Sequence, residues 1–374
     1  MAEATIEDPF ATQVDRAWNE SFSFVRELAP PMGRFGADYL SSMPLFGRTS
    51  PVGDHLPFWL AESLGVVDDT TVNALGTATI LGNAHIVIQD NIIDRQAHPD
   101  PQLVCLSNLL LARSLALFYS VVPSPAQFSS YVEHFLEQYS DAVLWENQHR
   151  GKVRKSFCAE DFTRVSWKGA PAKICVAAVA LVAGEAGRID RLSKAVDSFS
   201  LATQLLDDVR DWEEDIDNGI YSYPVTLAIR RLTPEINWSP RDKGPSKPNL
   251  KMGLFLSGVV ERVLEESDSL ARACEELVED TEGRFVANYL ALRKGRIDQG
   301  KRELVRMKVA ALGQGSSPGE ASLVEDQAIE DAQYRDKLFR LETWEALDRI
   351  ELMKLANGTE ATFARILGAA GLWI

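Results

Sequence analysis

Apolar residues recur at three- and four-residue spacing through most of this chain, while alternating apolar and polar runs are scarce. That period belongs to amphipathic helices, so an all-α protein is predicted. Helices are expected over residues 72–94, 103–121, 128–148, 170–183, 192–212, 254–277 and 289–309, with a C-terminal helical pair over 321–355 and 359–371. Turn chemistry predicts breaks at 30–31, 51–57, 98–101, 123–125 and 184–190, where Pro and Gly cluster. Two stretches rich in Pro, Gly and Ser read differently, 233–249 as an exposed insertion and 313–320 as a flexible linker to the C-terminal helices. No internal repeat is visible, and a single domain over residues 1–374 is expected.

Composition narrows the function classes. The chain has 374 residues, 45% of them hydrophobic, enough for a substantial core. A net charge of −15 argues against nucleic acid, whose phosphates are met by basic surfaces. An anionic substrate would need a metal ion or a local basic patch. The four cysteines, Cys105, Cys158, Cys175 and Cys274, lie far apart with no CxxC spacing and read as reduced thiols. The acidic N-terminus lacks the apolar core of a secretory signal. The longest apolar stretch, 106–122, is interrupted by Ser107, Asn108, Arg113 and Ser114, which argues against a membrane span. A cytoplasmic protein is the expectation.

The chemistry concentrates in two acidic clusters, Asp90-Asn91-Ile92-Ile93-Asp94 and Asp207-Asp208-Val209-Arg210-Asp211. Aspartates at i and i+4 project from one helical face, so each cluster aims carboxylates in one direction. Both stand near the predicted C-terminal ends of long helices, where the helix dipole disfavours negative charge. Something positive is expected there, and a divalent metal holding a phosphorylated ligand is the simplest answer. A di-iron bundle would need two Glu-x-x-His pairs on separate helices, and only Glu146-Asn147-Gln148-His149 fits.

From about Leu81 to Ile229 the chain resembles the class I isoprenoid (terpenoid) synthase superfamily, specifically its polyprenyl diphosphate synthase branch and the bacterial terpene synthases. Gln204-Leu205-Leu206-Asp207-Asp208-Val209-Arg210-Asp211, followed by Gly219-Ile220-Tyr221-Ser222-Tyr223-Pro224, is similar to the Q-x-x-D-D-x-x-D motif and its trailing Gly-x-x-x-Tyr-Pro. Lys168-Gly169-Ala170 resembles the Lys-Thr-Ala segment, and Asp90 to Asp94 falls where the first aspartate-rich motif belongs. The resemblance implies a helical barrel or bundle around a central cavity. It also implies that Asp90, Asn91, Asp94, Asp207, Asp208 and Asp211 bind Mg2+, and that Lys168, Gln204 and Arg95 help hold the diphosphate of a prenyl substrate. A homodimer is expected from resemblance alone.

Departures from the family pattern bias the expected reaction. The first motif reads D-N-x-x-D, the double arginine after it is missing, and no Gly-Gly-Lys-x-x-Arg segment is visible near Met32-Gly33-Arg34-Phe35. These losses fall on the side that holds a second, homoallylic diphosphate. The expected activity is therefore a Mg2+-dependent terpene synthase that ionises a linear prenyl diphosphate. The alternatives are a prenyltransferase elongating an allylic diphosphate with isopentenyl diphosphate, or a non-catalytic regulatory subunit. Blander readings stand beside each residue. Acidic pairs often cap solvated helix ends, Lys168 could be an ordinary surface lysine, and Arg150, Lys152, Arg154 and Lys155 read as a solvated face. Phe118, Tyr119, Phe135, Trp145, Trp167 and Phe199 are candidate cavity aromatics or ordinary core.

Overall fold

The computed structural model describes residues 9–42, 51–95, 100–152, 156–232 and 245–278. Among them, helices and no strands are found: α1 (Ala11–Glu27), α2 (Met32–Ser42), α3 (Pro51–Ser63), α4 (Asp69–Arg95), α5 (Pro101–Val121), α6 (Pro125–His149), α7 (Ala159–Trp167), α8 (Ala172–Val182), α9 (Ile189–Arg210), α10 (Trp212–Asp217), α11 (Tyr223–Leu232), α12 (Lys247–Leu256) and α13 (Val259–Val278). The all-α expectation stands. The predicted helices over 289–309, 321–355 and 359–371, the linker over 313–320 and residues 233–244 of the insertion lie outside the described residues.

The helices predicted from periodicity appear close to their expected limits, and the differences have local causes. Asp100 starts α5, its side chain accepting from the Gln102 backbone N–H at 2.8 Å, with Pro101 in the first turn where a missing N–H costs nothing. The break predicted over 51–57 is instead inside α3, which carries Pro57 in its interior. An interior proline costs about 3 kcal/mol. Burial of Leu56, Phe58, Trp59 and Leu60 on the same helix offsets it, at roughly 1.5–3 kcal/mol per large apolar side chain. The single helix expected over 254–277 is two, because the chain breaks at Ser257 and Gly258, and Gly258 adopts φ 77°. The last three residues of the expected insertion, 247–249, already belong to α12.

The described chain forms two compact units. One comprises the described residues up to Asp141, Trp167–Asp197 and residues 273–278. Here α4 and α5 pack along their length through Leu81, Ala84, Ile88, Leu103, Leu106 and Leu110, joined by Val25 of α1 and Leu40 of α2. Gly76 lets α4 approach α1 and α3, since a Cβ there would lie 2.5 Å from Phe58 Cζ and 3.3 Å from Ala17 Cβ. The polar residues that interrupt α5 are used in this packing. The Ser114 hydroxyl donates to the Ala78 carbonyl at 2.7 Å, and Ser107 meets His85 Nδ1 at 2.7 Å. Segments Asp69–Ile93 and Pro101–Val121 are nonetheless long and apolar enough to cross a membrane by length and composition.

The other unit comprises Ala142–Ser166 and Ser198–Arg272. Its core is Leu201 and Leu205 of α9 packed with Trp212, α11, α12 and the start of α13. The Ser267 hydroxyl donates to the Ala202 carbonyl at 2.9 Å, tying α13 to α9. Beyond α10, Gly219 turns the chain at φ 73°, and its carbonyl accepts from the Gly151 N–H at 2.6 Å. A side chain at Gly219 would meet the Gly151 backbone at 3.2 Å, so this glycine serves both the turn and the close approach.

Candidate functional site

The first acidic cluster closes α4, as its apolar lead-in predicted. Asp90 and Asn91 are half-buried there, and the Tyr139 hydroxyl from α6 donates to Asp90 Oδ1 at 2.8 Å. Tyr139 itself is buried. Asp94 and Arg95 form the last turn of α4, and their side chains lie outside the described residues.

The second cluster closes α9, but that helix ends at Arg210, two residues earlier than expected. Asp211 is a hinge residue with φ −98° and ψ 12°, after which α10 begins. Sequence reasoning asked for positive charge at this helix end, and the chain itself supplies some. Arg210 reaches Asp207 at 3.0 Å through one terminal nitrogen and grips Asp211 through Nε and the other, at 2.9 and 2.7 Å. A cation in the last turn also offsets the helix dipole. Asp208 points elsewhere. It is buried, and its Oδ1 accepts from Gln204 Nε2 at 2.7 Å across one helical turn. Arg210 was overlooked because it stands inside the acidic motif, where its charge reads as incidental. Its i−3 spacing to Asp207 was the available signal.

Lys168 is half-buried on the turn between α7 and α8. Of the basic cluster, Lys152 donates to the Gln148 carbonyl at 2.7 Å, while Arg154 and Lys155 lie outside the described residues. Among the candidate aromatics, Phe118 and Tyr119 both pack on Phe128, at 5.8 and 5.2 Å between ring centroids, and Trp145 lies 5.1 Å from His149. Phe199 is buried and Trp167 half-buried.

One feature of α8 escaped the sequence reading altogether. Lys173 is 1% exposed, and its ammonium donates to Gln138 Oε1 of α6 at 2.6 Å and to Asp197 Oδ1 of α9 at 2.7 Å, with the Phe135 ring centroid 5.2 Å away. Burial lowers the lysine pKa and raises that of Asp197, while their mutual attraction opposes both shifts. Because the ammonium can only donate, it fixes the Gln138 amide with its NH2 toward His134 Nε2, 3.1 Å away, which must then accept.

Among the described residues, no group of three or more His, Cys, Asp or Glu side chains is gathered as a metal cage. The donor set is nevertheless of the right kind. Asp207 and Asp211 turn oxygens toward one guanidinium, so both carboxylates already serve a single cation, and carboxylate oxygens are the ligands that Mg2+ takes.

No protein-family model matches the chain, and no curated protein matches it. Solved structures do. A geranylgeranyl pyrophosphate synthetase from the archaeon Geoglobus acetivorans superposes with a TM-score of 0.60 at 18% identity, over 76% of this chain and 98% of that one. A decaprenyl diphosphate synthase from Rhodobacter capsulatus gives 0.60 at 13% identity, over 77% and 96%. An octaprenyl pyrophosphate synthase from Helicobacter pylori gives 0.58 at 14%, over 76% and 98%. The chain has the all-α isoprenoid synthase fold. At these identities the likeness is one of architecture.

Proposed function

We propose that this protein is a magnesium-dependent isoprenyl diphosphate synthase, joining an allylic prenyl diphosphate to isopentenyl diphosphate. The observation that carries this reading is the superposition over nearly the full length of prenyl diphosphate synthases, combined with acid motifs at the ends of α4 and α9. The reading replaces the terpene synthase that the sequence alone favoured, because the matching folds bear the names of chain-elongating enzymes.

Asp90, Asn91 and Asp94 of the first motif and Asp207, Asp208 and Asp211 of the second are the proposed Mg2+ ligands. Bound there, Mg2+ would supply positive charge to a leaving diphosphate. Lys168, Gln204 and Arg95 are proposed to orient that diphosphate. Tyr139 holds Asp90, and Gln204 holds Asp208, so that the carboxylates need little reorganisation when charge develops. Arg210 must yield Asp207 and Asp211 before they can serve a metal, and its exposed guanidinium can move into water at small cost.

The same reading makes the chain a single functional domain in the cytoplasm, acting on a small prenyl diphosphate. A homodimer is part of the same proposal, on the resemblance alone. Terpene synthesis is the second reading, favoured by the missing Gly-Gly-Lys-x-x-Arg segment and the missing double arginine.

The test is incubation with geranyl, farnesyl and geranylgeranyl diphosphates, with and without Mg2+ and isopentenyl diphosphate, resolving diphosphates from hydrocarbons. Longer diphosphates that require isopentenyl diphosphate are expected, with Asp90→Ala and Asp207→Ala each lowering the rate by at least about a hundredfold. A hydrocarbon or alcohol from one diphosphate alone would transfer the assignment to a terpene synthase. Silence with every substrate would favour the regulatory subunit.

A further inference from the structure

We propose that Tyr139 is a positioning residue that holds the Asp90 carboxylate in place for a divalent cation; this rests on the reading of Asp90 as a metal ligand. Asp207 and Asp211 are held by the exposed guanidinium of Arg210, which competes with any metal. Asp90 is held at 2.8 Å by a neutral phenol on a different helix, 49 residues away in sequence. A neutral donor fixes the carboxylate's rotation without neutralising it, and an ionised carboxylate offers about four lone-pair sites, so accepting one hydrogen bond does not close it to a cation.

The phenol is itself well fixed. Tyr139 is 5% exposed, which denies its ring other rotamers. On α6, Phe135 lies one turn from both Gln138 and Tyr139, which flank it on either side. Lys173 grips this helix from α8 through Gln138, and its ammonium sits against the Phe135 ring. Rotation of α6 about its axis would therefore break a buried charged hydrogen bond before it could carry the Tyr139 hydroxyl away from Asp90.

The experiment measures Mn2+ binding to the full chain by calorimetry in the presence of inorganic pyrophosphate, for wild type, Asp90→Asn, Tyr139→Phe and the double variant. Tyr139→Phe keeps the buried ring and removes only the hydroxyl. It is expected to weaken Mn2+ binding roughly tenfold, the lower end of the loss on removing an outer-shell hydrogen bond to a metal ligand. In the Asp90→Asn background the same change is expected to have no further effect, a coupling that a general loss of packing would not produce. Weakening by Asp90→Asn but not by Tyr139→Phe, or equal weakening by Tyr139→Phe in both backgrounds, overturns the positioning role and leaves the metal-ligand reading standing. Binding indifferent to Asp90→Asn overturns that reading and the proposal with it.

Discussion

Replacing Lys173 by Met removes the ammonium between Gln138 and Asp197 while keeping most of the side-chain volume. Breaking a buried ion pair by deleting one partner costs about 3–5 kcal/mol, because the other charge is stranded. Asp197 retains 26% side-chain exposure, so water recovers part of its solvation and the lower figure, about 3 kcal/mol, is expected at neutral pH. The directions of the two pKa shifts extend the argument. Burial raises Asp197, so its contribution to stability is complete below the ordinary carboxylate range and is lost as pH rises through its folded value. Burial lowers Lys173, so its contribution is complete above the ordinary lysine range and is lost as pH falls through its folded value. Mutual attraction between the two groups opposes both shifts. Two consequences are measurable by urea unfolding followed by circular dichroism. The penalty of Lys173→Met shrinks on acidification, once the stranded Asp197 takes a proton. The double variant Lys173→Met with Asp197→Leu costs less than Lys173→Met alone, since no charge is left uncompensated. A single-variant cost below about 1 kcal/mol, or a double variant equal to the sum of the singles, would refute the reasoning.

Two further outcomes follow from the packing of the same unit. Asp54 is buried and its pKa is raised to about 6, chiefly by burial and against the pull of His55. Its contribution is complete below the unfolded value and lost as pH rises to about 6, so the stability of wild type relative to Asp54→Asn should fall between about pH 4 and 6; a flat difference across that window in urea titrations would contradict it. Gly76→Ala places a Cβ 2.5 Å from the buried Phe58 ring and should cost about 1–3 kcal/mol, whereas Gly187→Ala, with nothing within 4 Å, should be nearly neutral. Equal melting temperatures for these two variants would show that α4 can shift away from α3.

The helical class, the approximate limits of α4, α5, α6, α8 and α9, and the placing of both acid motifs at helix ends were legible in the amino-acid sequence alone. Each of these depends on local quantities, namely apolar period, turn residues and the i, i+4 geometry of a helix. Shorter helices were harder to read. α1, α2 and α11 escaped notice, and α3 was read as a break because Pro57 outweighed the burial of its neighbours, which only packing reveals. The split at Gly258 was hidden because the apolar period carries across it. What supports the candidate acids could not be read from the chain. Arg210 counters Asp207 and Asp211 from within the motif, yet which of its neighbours it reaches is a matter of rotamer and helix ending. Tyr139 meets Asp90, and Lys173 meets Gln138 and Asp197, across 24 to 49 residues of sequence. A partner at that separation is chosen by how helices pack. Burial also changes what such a residue means, since a lysine inside the core is a charge that must be paired.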